Sequence, residues 1–220
     1  VRRLISGALH TRALQALEPG LIACVDGLLE RMQDRRQVDL IEDFAMHIPI
    51  EIIGNLLAVP HAEREPLRDW SLAILGALEP AITPAAFARG NQAVSEFLDY
   101  LEGLVRQRRA HPGDPEQDVL TRLIQGENNE TLSQQELLHN CIFILNAGHE
   151  TTTNLIGNGL HALLAYPAQR ALLLEQPQRI NSAVEEFLRF ESSNQLGNRI
   201  TTETVQLGGV TLEPETRINL

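Results

Sequence analysis

The chain has 220 residues, of which 43% are hydrophobic, and its 18 basic and 29 acidic residues give a net charge of −11. The acidic excess argues against a protein that binds nucleic acid through the phosphate backbone, because such binding needs clustered basic residues. Two cysteines in apolar segments suggest neither a disulfide framework nor a zinc site, and no apolar run reaches the length of about 18 residues that a membrane-spanning helix needs. We therefore expect a soluble cytoplasmic protein. Because the chain begins without Met and already in helical register, we expect an internal fragment of a longer one.

Prolines and apolar periodicity predict helices over most of the first part of the chain. Pro19 suits the first turn of one helix, and the next is expected to bend at Pro49 and to end before Pro60. The predicted helical ranges are 18–32, 40–58, 61–78, 84–110 and 119–125.

A long helix is predicted at residues 134–165. Ser133 and Glu136 form a capping box at its start, and no stop signal follows until Tyr166-Pro167. Its section 141–148 is apolar nearly all round, which predicts burial on all sides.

After this helix, the sequence changes from a long helical pattern to shorter helices and then to β-branched residues. Two shorter helices are predicted at 167–176 and 178–191. β-Branched residues then indicate short strands over about 199–220, with Gly208-Gly209 at a hairpin turn.

The sequence AGHETT at residues 147–152 is unusual inside a buried helix. Ala147 and Gly148 remove bulk from one turn, and Glu150 places a carboxylate where desolvation is costly. The threonines 151–153 can bond to carbonyls one turn earlier, which bends or opens a helix. Together these residues predict a local break in the helix, with an acid and an alcohol side by side.

Each residue of this motif also has a plain structural explanation. The Ala-Gly pair can be a packing contact, Glu150 a solvated carboxylate, and His149 a structural histidine with hydrogen-bonded nitrogens. A zinc site of the HExxH type is excluded, because the fifth position is Thr153 and His161 lies on another side of the helix.

On a long helix, AGHETT resembles the oxygen-activation segment of cytochromes P-450, the haem-thiolate monooxygenases. Downstream, Glu186 and Arg189 resemble that family's ExxR pair, whose i, i+3 spacing places both on one helix face. By itself such a pair would be an ordinary exposed ion pair. The segment IPIEIIGNLLAVP at 48–60 is also similar to bacterial members. The resemblance covers the whole chain. It implies a mainly α fold with small β-sheets, truncated at both ends, with residues 1–220 forming one partial domain.

The resemblance implies a catalytic pair. Thr151 would hydrogen-bond dioxygen or its water, and Glu150 would relay protons from outside. Glu186 and Arg189 would form a structural ion pair behind the cofactor, haem b. The residues implied to bind the haem, with both arginines on propionates, are Arg2, Ala147, Gly148, Thr151 and Arg199.

The resemblance also implies a substrate pocket beneath a lid of helices at 61–110. Asn146 stands where the family more often has an apolar residue, so it is a candidate hydrogen-bond partner for an oxygenated substrate. The implied pocket residues are Phe143, Asn146, Asn194, Gln195 and Leu196.

The function implied is insertion of one oxygen atom from dioxygen into a small apolar organic substrate. Electrons would come from NAD(P)H through a ferredoxin or a flavoprotein. The family's iron ligand is a cysteine in a Phe-x-x-Gly-x-x-x-Cys-x-Gly loop, which would lie beyond Leu220. Cys24 and Cys141 lack such surroundings, so we assign no metal ligand and expect the fragment alone to be inactive. The alternative is a non-catalytic helical ligand-binding protein or a degenerate member of the family.

Overall fold

The computed structural model describes residues 1–9, 11–79, 81–116, 118–126 and 131–219. The chain divides into two compact units, Val1–Gly157 and Asn158–Leu220. The boundary between them falls within one long helix.

The first unit is built from helices. A π-helical turn, Ile41–Ala45, precedes the third helix, and a 3₁₀ turn, His61–Glu63, precedes the fourth. The helices are α1 (Arg2–Ala8), α2 (Thr11–Gln33), α3 (His47–Leu56), α4 (Glu65–Gly76), α5 (Pro84–Ala110), α6 (Val119–Gln125) and the greater part of α7 (Gln134–Ala165).

The hydrophobic core of this unit joins α4, α5 and α7. Trp70 of α4 and Phe97 of α5 are buried and stacked, with ring centroids 4.9 Å apart. Leu67 and Leu145 belong to the same cluster and have no exposed surface. Burial of each such side chain is worth about 1.5–3 kcal/mol, so this cluster holds α7 in the first unit.

The predicted start of the second helix is wrong. Helix α2 begins at Thr11, and Pro19 lies inside it rather than in its first turn. The segment before the proline, TRALQALE, is rich in strong helix formers, which favour the helix on both sides of Pro19.

The range 40–58 does not form one helix bent at Pro49. The irregularity lies earlier, in the π-helical turn Ile41–Ala45, where the Asp39 carboxylate accepts hydrogen bonds from the first two N–H groups at 2.9 and 3.0 Å. Pro49 lies in the first turn of α3, where its missing N–H leaves no helical bond unmade. Helices α4, α5 and α6 lie within their predicted ranges.

Helix α7 begins at the predicted capping box. The backbone N–H of Ser133 donates to Glu136 Oε2 at 2.8 Å, and the N–H of Glu136 donates to Ser133 Oγ at 3.2 Å. These reciprocal bonds satisfy two of the donors that a helix start leaves unpaired.

The predicted break at AGHETT is wrong, because α7 is continuous from Gln134 to Ala165. The threonines do bond back to the helix. Thr151 Oγ1 donates to the Ala147 carbonyl at 2.7 Å, and Thr153 Oγ1 donates to the His149 carbonyl at 3.0 Å. Each carbonyl has two lone pairs, so it can accept this extra bond without losing its place in the helix.

In residues 158–219, the second unit contains the end of α7, two further helices and four short strands. Helices α8 (Pro167–Glu175) and α9 (Ile180–Phe190) flank a 3₁₀ turn. The predicted hairpin is confirmed: β2 (Val205–Leu207) pairs antiparallel with β3 (Val210–Leu212). Gly208 and Gly209 both have positive φ, as this turn requires. Strand β1 (Asn198–Ile200) pairs antiparallel with β4 (Arg217–Asn219).

The described residues therefore form a mainly helical fold with two small antiparallel sheets, as predicted. In this part of the chain, no helix has the length and apolarity needed to cross a membrane.

Candidate active site

One exposed face of α7 collects four of the predicted site residues. Phe143 is 63% exposed, Ala147 is exposed, and Glu150 and Thr151 are partly exposed. Their spacing of three and four residues places them on the same side of the helix. The prediction that section 141–148 is buried on all sides is thus wrong. The side with Cys141, Ile144 and Leu145 enters the core, whereas this side faces outward.

The side chains on this face change from apolar to polar along the helix. Phe143 supplies an apolar ring at one end, and Ala147 supplies a single methyl group one turn later. Thr151 follows after another turn, with its hydroxyl bonded to the Ala147 carbonyl, and the Glu150 carboxylate lies beside it. A flat apolar group can approach such a surface closely and meet an acid and an alcohol at one edge.

The role of Gly148 in the structure differs from the predicted one, which was to lie against the haem. A Cβ atom at this position would lie 3.1 Å from Ile53 Cδ1 of α3. The absent side chain therefore makes room for the packing of α7 on α3, and not for a group on the exposed face. The packing explanation of the Ala-Gly pair holds for Gly148, while Ala147 stays on the open side.

Asn146 lies at the edge of the exposed face. Asn146 as a whole is partly buried. Its side-chain oxygen Oδ1 is fully buried and has no hydrogen-bond partner among the described residues. A buried amide oxygen without a donor is costly, so this atom is suited to accept a hydrogen bond from a bound molecule.

His149 differs from the satisfied structural histidine that sequence analysis allows. It is 2% exposed, and neither ring nitrogen has a hydrogen-bond partner in the described structure. Burial, with a smaller contribution from the nearby positive charge of Arg68, lowers the pKa of His149 to about 4. The ring is therefore neutral at pH 7. No sequence signal distinguishes this histidine from a satisfied one.

The predicted ion pair on α9 forms. The Arg189 guanidinium donates two hydrogen bonds to Glu186, both at 2.7 Å. The Arg189 side chain is 69% exposed and that of Glu186 is 54% exposed. The Arg189 guanidinium holds the pKa of Glu186 below its usual range. At this exposure the pair adds little stability, so its role in the fold of the second unit is small.

The other predicted site residues lie on exposed segments. Arg2 is exposed on α1 of the first unit. In the second unit, Arg199 of β1 is exposed and donates to the neighbouring Asn198 carbonyl at 2.8 Å. The exposed segment between α9 and β1 carries the three remaining pocket candidates, Asn194, Gln195 and Leu196.

Comparison with known proteins decides the family. Residues 78–220 match the family model for Cytochrome P450. The chain belongs to the cytochrome P450 family. This cytochrome P450 chain is 40% identical, over 96% of its length, to the Vitamin D(3) 25-hydroxylase of Pseudonocardia autotrophica, of which it covers 51%.

One further sequence match and one structural match support membership in the cytochrome P450 family. The chain is 33% identical over its whole length to the Biotin biosynthesis cytochrome P450 of Bacillus subtilis (strain 168), of which it covers 55%. The crystal structure of P450BioI in complex with hexadec-9Z-enoic acid ligated acyl carrier protein matches with a TM-score of 0.92 and 33% identity. That match covers 99% of this chain and 55% of the other. The chain thus spans about half the length of these relatives.

Membership in the cytochrome P450 family implies haem, and neither cysteine of this chain fits as its ligand. Cys24 and Cys141 are free. Cys141 has no exposed surface and lies within the apolar core, where burial raises the pKa of its thiol to about 12. Burial also raises the pKa of the Cys24 thiol, so neither site stabilises the thiolate that a metal ligand requires. Among the described residues, no three His, Cys, Asp or Glu side chains are grouped as metal ligands.

Proposed function

We propose that this chain is the middle part of a haem-dependent monooxygenase, which inserts one oxygen atom from dioxygen into a small apolar organic substrate. The observation that carries this proposal is the exposed face of α7, where Ala147 leaves space beside an acid and an alcohol. Residues 1–220 would belong to one domain of the full-length protein, and the chain alone would be inactive because it lacks a thiolate ligand.

The exposed face of α7 fits a flat apolar cofactor. A methyl group at Ala147, and Gly148 turned towards α3, leave this turn of the helix without bulk. Haem would lie against Ala147 and Thr151, and the exposed guanidinium groups of Arg2 and Arg199 would bind its propionates with charge-assisted hydrogen bonds. When bound, haem supplies the redox chemistry that no side chain can supply.

Thr151 and Glu150 would bind and transfer protons at this site. In the present conformation Thr151 Oγ1 donates to the Ala147 carbonyl, which leaves its lone pairs free to accept a hydrogen bond. Rotation of the hydroxyl would let it donate to dioxygen or to a water instead. The partly exposed Glu150 carboxylate can take up a proton from solvent and pass it to that hydroxyl or water.

The substrate would lie beside the same face. Phe143 would offer an apolar contact, and the unpartnered Asn146 Oδ1 would accept a hydrogen bond from a hydroxyl group of the substrate. Asn194, Gln195 and Leu196 would contribute from the loop after α9, and the helices within 61–110 would form a lid. Such a pocket would favour a mainly apolar substrate with one polar group.

Electrons would come from NAD(P)H through a ferredoxin or a flavoprotein in the cytoplasm. The P450BioI relative was crystallised with an acylated acyl carrier protein. A carrier-bound acyl chain is therefore one form in which a substrate of this chain could be presented. The other form is a free small molecule.

The proposal is tested by replacing Thr151 in the full-length protein loaded with haem. Thr151→Ala should lower the product formed per NAD(P)H consumed by roughly tenfold, because it removes a positioned proton donor. Thr151→Ser retains the hydroxyl and should keep most of the yield.

The matched control is Thr152→Ala, the same change about 100° further round the helix. It should leave the yield unchanged. Equal yields from Thr151→Ala and Thr152→Ala would refute the role of Thr151, and a full-length protein that binds no haem would refute the proposed function itself.

A further inference from the structure

Trp70 and Tyr100 form a pair of oxidisable side chains between α4 and α5. Their ring centroids lie 5.7 Å apart, so the two π-systems are in contact. Trp70 is 9% exposed and belongs to the hydrophobic core, whereas Tyr100 is partly buried at the edge of that core. Indole and phenol are the aromatic side chains that lose an electron most readily. The contact therefore places two electron donors side by side.

Each of these two rings donates a hydrogen bond to a carboxylate. The indole N–H of Trp70 donates to Glu96 Oε2 at 3.0 Å, and the hydroxyl of Tyr100 donates to Glu63 Oε2 at 2.7 Å. Removal of an electron turns an indole N–H or a phenol O–H into a strong acid, so oxidation is favoured where a hydrogen-bonded base can take the proton. Glu63 is exposed in the 3₁₀ turn before α4, so it can exchange that proton with solvent.

The carboxylate beside Trp70 is the poorer proton acceptor of the two. Glu96 also accepts hydrogen bonds from Gln92 at 2.7 Å and from Arg89 at 3.2 Å. The bond from Trp70, followed by those from Gln92 and Arg89, holds the pKa of Glu96 below its usual range. Because Glu96 is so weak a base, an oxidised Trp70 keeps its N–H proton. A protonated indole radical is a stronger oxidant than the neutral radical, and it can take an electron from a neighbouring phenol.

Tyr100 releases its proton only together with an electron. Burial, with smaller contributions from the hydrogen bond to Glu63 and from its charge, raises the pKa of Tyr100. The phenol is therefore protonated at pH 7. When its electron leaves, the proton can pass along the existing 2.7 Å hydrogen bond to Glu63, which avoids a high-energy phenol cation.

We propose that Trp70 and Tyr100 form a relay for one-electron oxidation, which carries an oxidising equivalent from the core to the surface at Glu63. A one-electron oxidant, such as a radical derived from a peroxide, takes an electron from the Trp70 indole. Tyr100 returns an electron to the indole and passes its hydroxyl proton to Glu63. The products are the reduced oxidant, an intact Trp70, a neutral tyrosyl radical at Tyr100 and a protonated Glu63.

The relay itself does not depend on the proposed function. Its chemistry needs only the two rings, the Glu63 carboxylate and an oxidant of this class. In a monooxygenase, partly reduced dioxygen would be a source of such oxidants, and this use of the relay rests on the proposed function. The relay would then keep radical damage away from the core.

The first test uses the full-length protein and tris(bipyridine)ruthenium(III), a one-electron oxidant generated by light. A nitroso spin trap forms an adduct with each protein radical, and mass spectrometry of peptides locates the adduct. We expect the adduct on Tyr100 rather than on Trp70. Trp70→Phe should remove most of it, and Tyr100→Phe should move it to Trp70. An adduct on Tyr100 that does not depend on Trp70, or no adduct on either residue while other peptides carry one, would overturn the relay.

The second test replaces the proton acceptor. Glu63→Gln retains an oxygen that accepts the Tyr100 hydrogen bond, but the amide cannot take the proton. The adduct on Tyr100 should fall by about tenfold and that on Trp70 should rise, because a positioned base contributes at least this factor to proton transfer. Glu65→Gln, at the exposed start of α4, is the matched control and should leave both adducts unchanged. Equal adducts in Glu63→Gln and in the wild type would refute the role of Glu63.

Tyr166 separates the relay from general oxidation of tyrosine. It lies in the second unit with its ring edge-on to Phe190, and within the described residues no carboxylate accepts a hydrogen bond from its hydroxyl. Any adduct on Tyr166 should be the same in the wild type, in Trp70→Phe and in Glu63→Gln. A loss there equal to the loss on Tyr100 would overturn the relay.

These readouts also separate the relay from the proposed function. The oxidant is added, so the adducts on Trp70 and Tyr100 decide the relay even if the full-length protein binds no haem and the proposed function fails. If haem binds and Thr151→Ala lowers the product yield while Tyr100 carries no adduct, the function stands and the relay fails.

Discussion

The buried ring of His149 should make stability depend on pH. Its pKa is lowered to about 4 in the folded protein, against about 6.5 when unfolded. Between these values the unfolded state binds the extra proton, so stability is full above pH 6.5 and falls as the pH falls towards 4. At pH 4.5 the loss should be about 2 kcal/mol. His149→Phe should abolish this part of the loss, as measured by denaturant unfolding of the full-length protein at pH 7 and pH 4.5.

The control for this prediction is on the same helix. His139 of α7 is exposed, and His139→Phe should leave the pH dependence of the unfolding free energy as it is in the wild type. Arg68, which is paired with Glu42, is the charged group that acts on the His149 ring. A pH dependence that His149→Phe does not reduce would show that the ring already has a hydrogen-bonded, protonated state in the fold.

At the scale of elements, α4 and α5 pack directly against each other in the first unit. Trp70 stacks on Phe97, and its indole N–H donates to Glu96 at 3.0 Å. Gly90 permits this approach. A Cβ atom there would collide with Ala77 Cβ and lie 3.0 Å from the backbone oxygen of Ala73. Backbone atoms cannot yield as a flexible side chain can, so the two helices would have to separate.

Gly90→Ala should therefore lower the free energy of unfolding by about 2 kcal/mol, the usual cost of overpacking. The same helix offers a matched control, because a Cβ atom at Gly103 would meet no described atom within 4 Å. Gly103→Ala should raise stability by up to about 1 kcal/mol through helix propensity. The denaturant midpoints of unfolding, measured for Gly90→Ala and Gly103→Ala, test this comparison. A Gly90→Ala variant as stable as Gly103→Ala would show that the α4–α5 contact is looser than described.

At the scale of the whole molecule, the Glu186–Arg189 pair is predicted to matter more for the full-length protein than for its own unit. The pair is exposed, so α9 should fold without it. Under the proposed function it would support haem binding together with segments outside this chain. Glu186→Ala in the full-length protein should thus retain the helical content by circular dichroism but lose most of its haem, measured as the haem-to-protein ratio after gel filtration.

Glu185→Ala is the control for this experiment, since Glu185 is the exposed neighbour on the same helix. It should bind haem at the wild-type ratio. Normal haem content in Glu186→Ala would show that Glu186 and Arg189 form only an ordinary surface ion pair.

Local sequence patterns determined much of this protein. The capping box at Ser133 set the start of α7, the ExxR spacing set the pair on α9, and Gly208-Gly209 set the hairpin. These features depend on residues within about four positions of each other, so the sequence contains all the groups that form them. The motifs on α7 and α9 also sufficed for the family, which comparison confirmed.

The tertiary structure decided what depends on distant partners. Which side of α7 is exposed, why Gly148 lacks a side chain and whether His149 is satisfied all depend on α3 and α4, about 80 to 100 residues earlier in the chain. The π-helical turn likewise forms where Asp39 and Arg68 bond to it. Periodicity shows that a helix has an apolar side, but burial and hydrogen-bond satisfaction are properties of the packed neighbours, which no local pattern specifies.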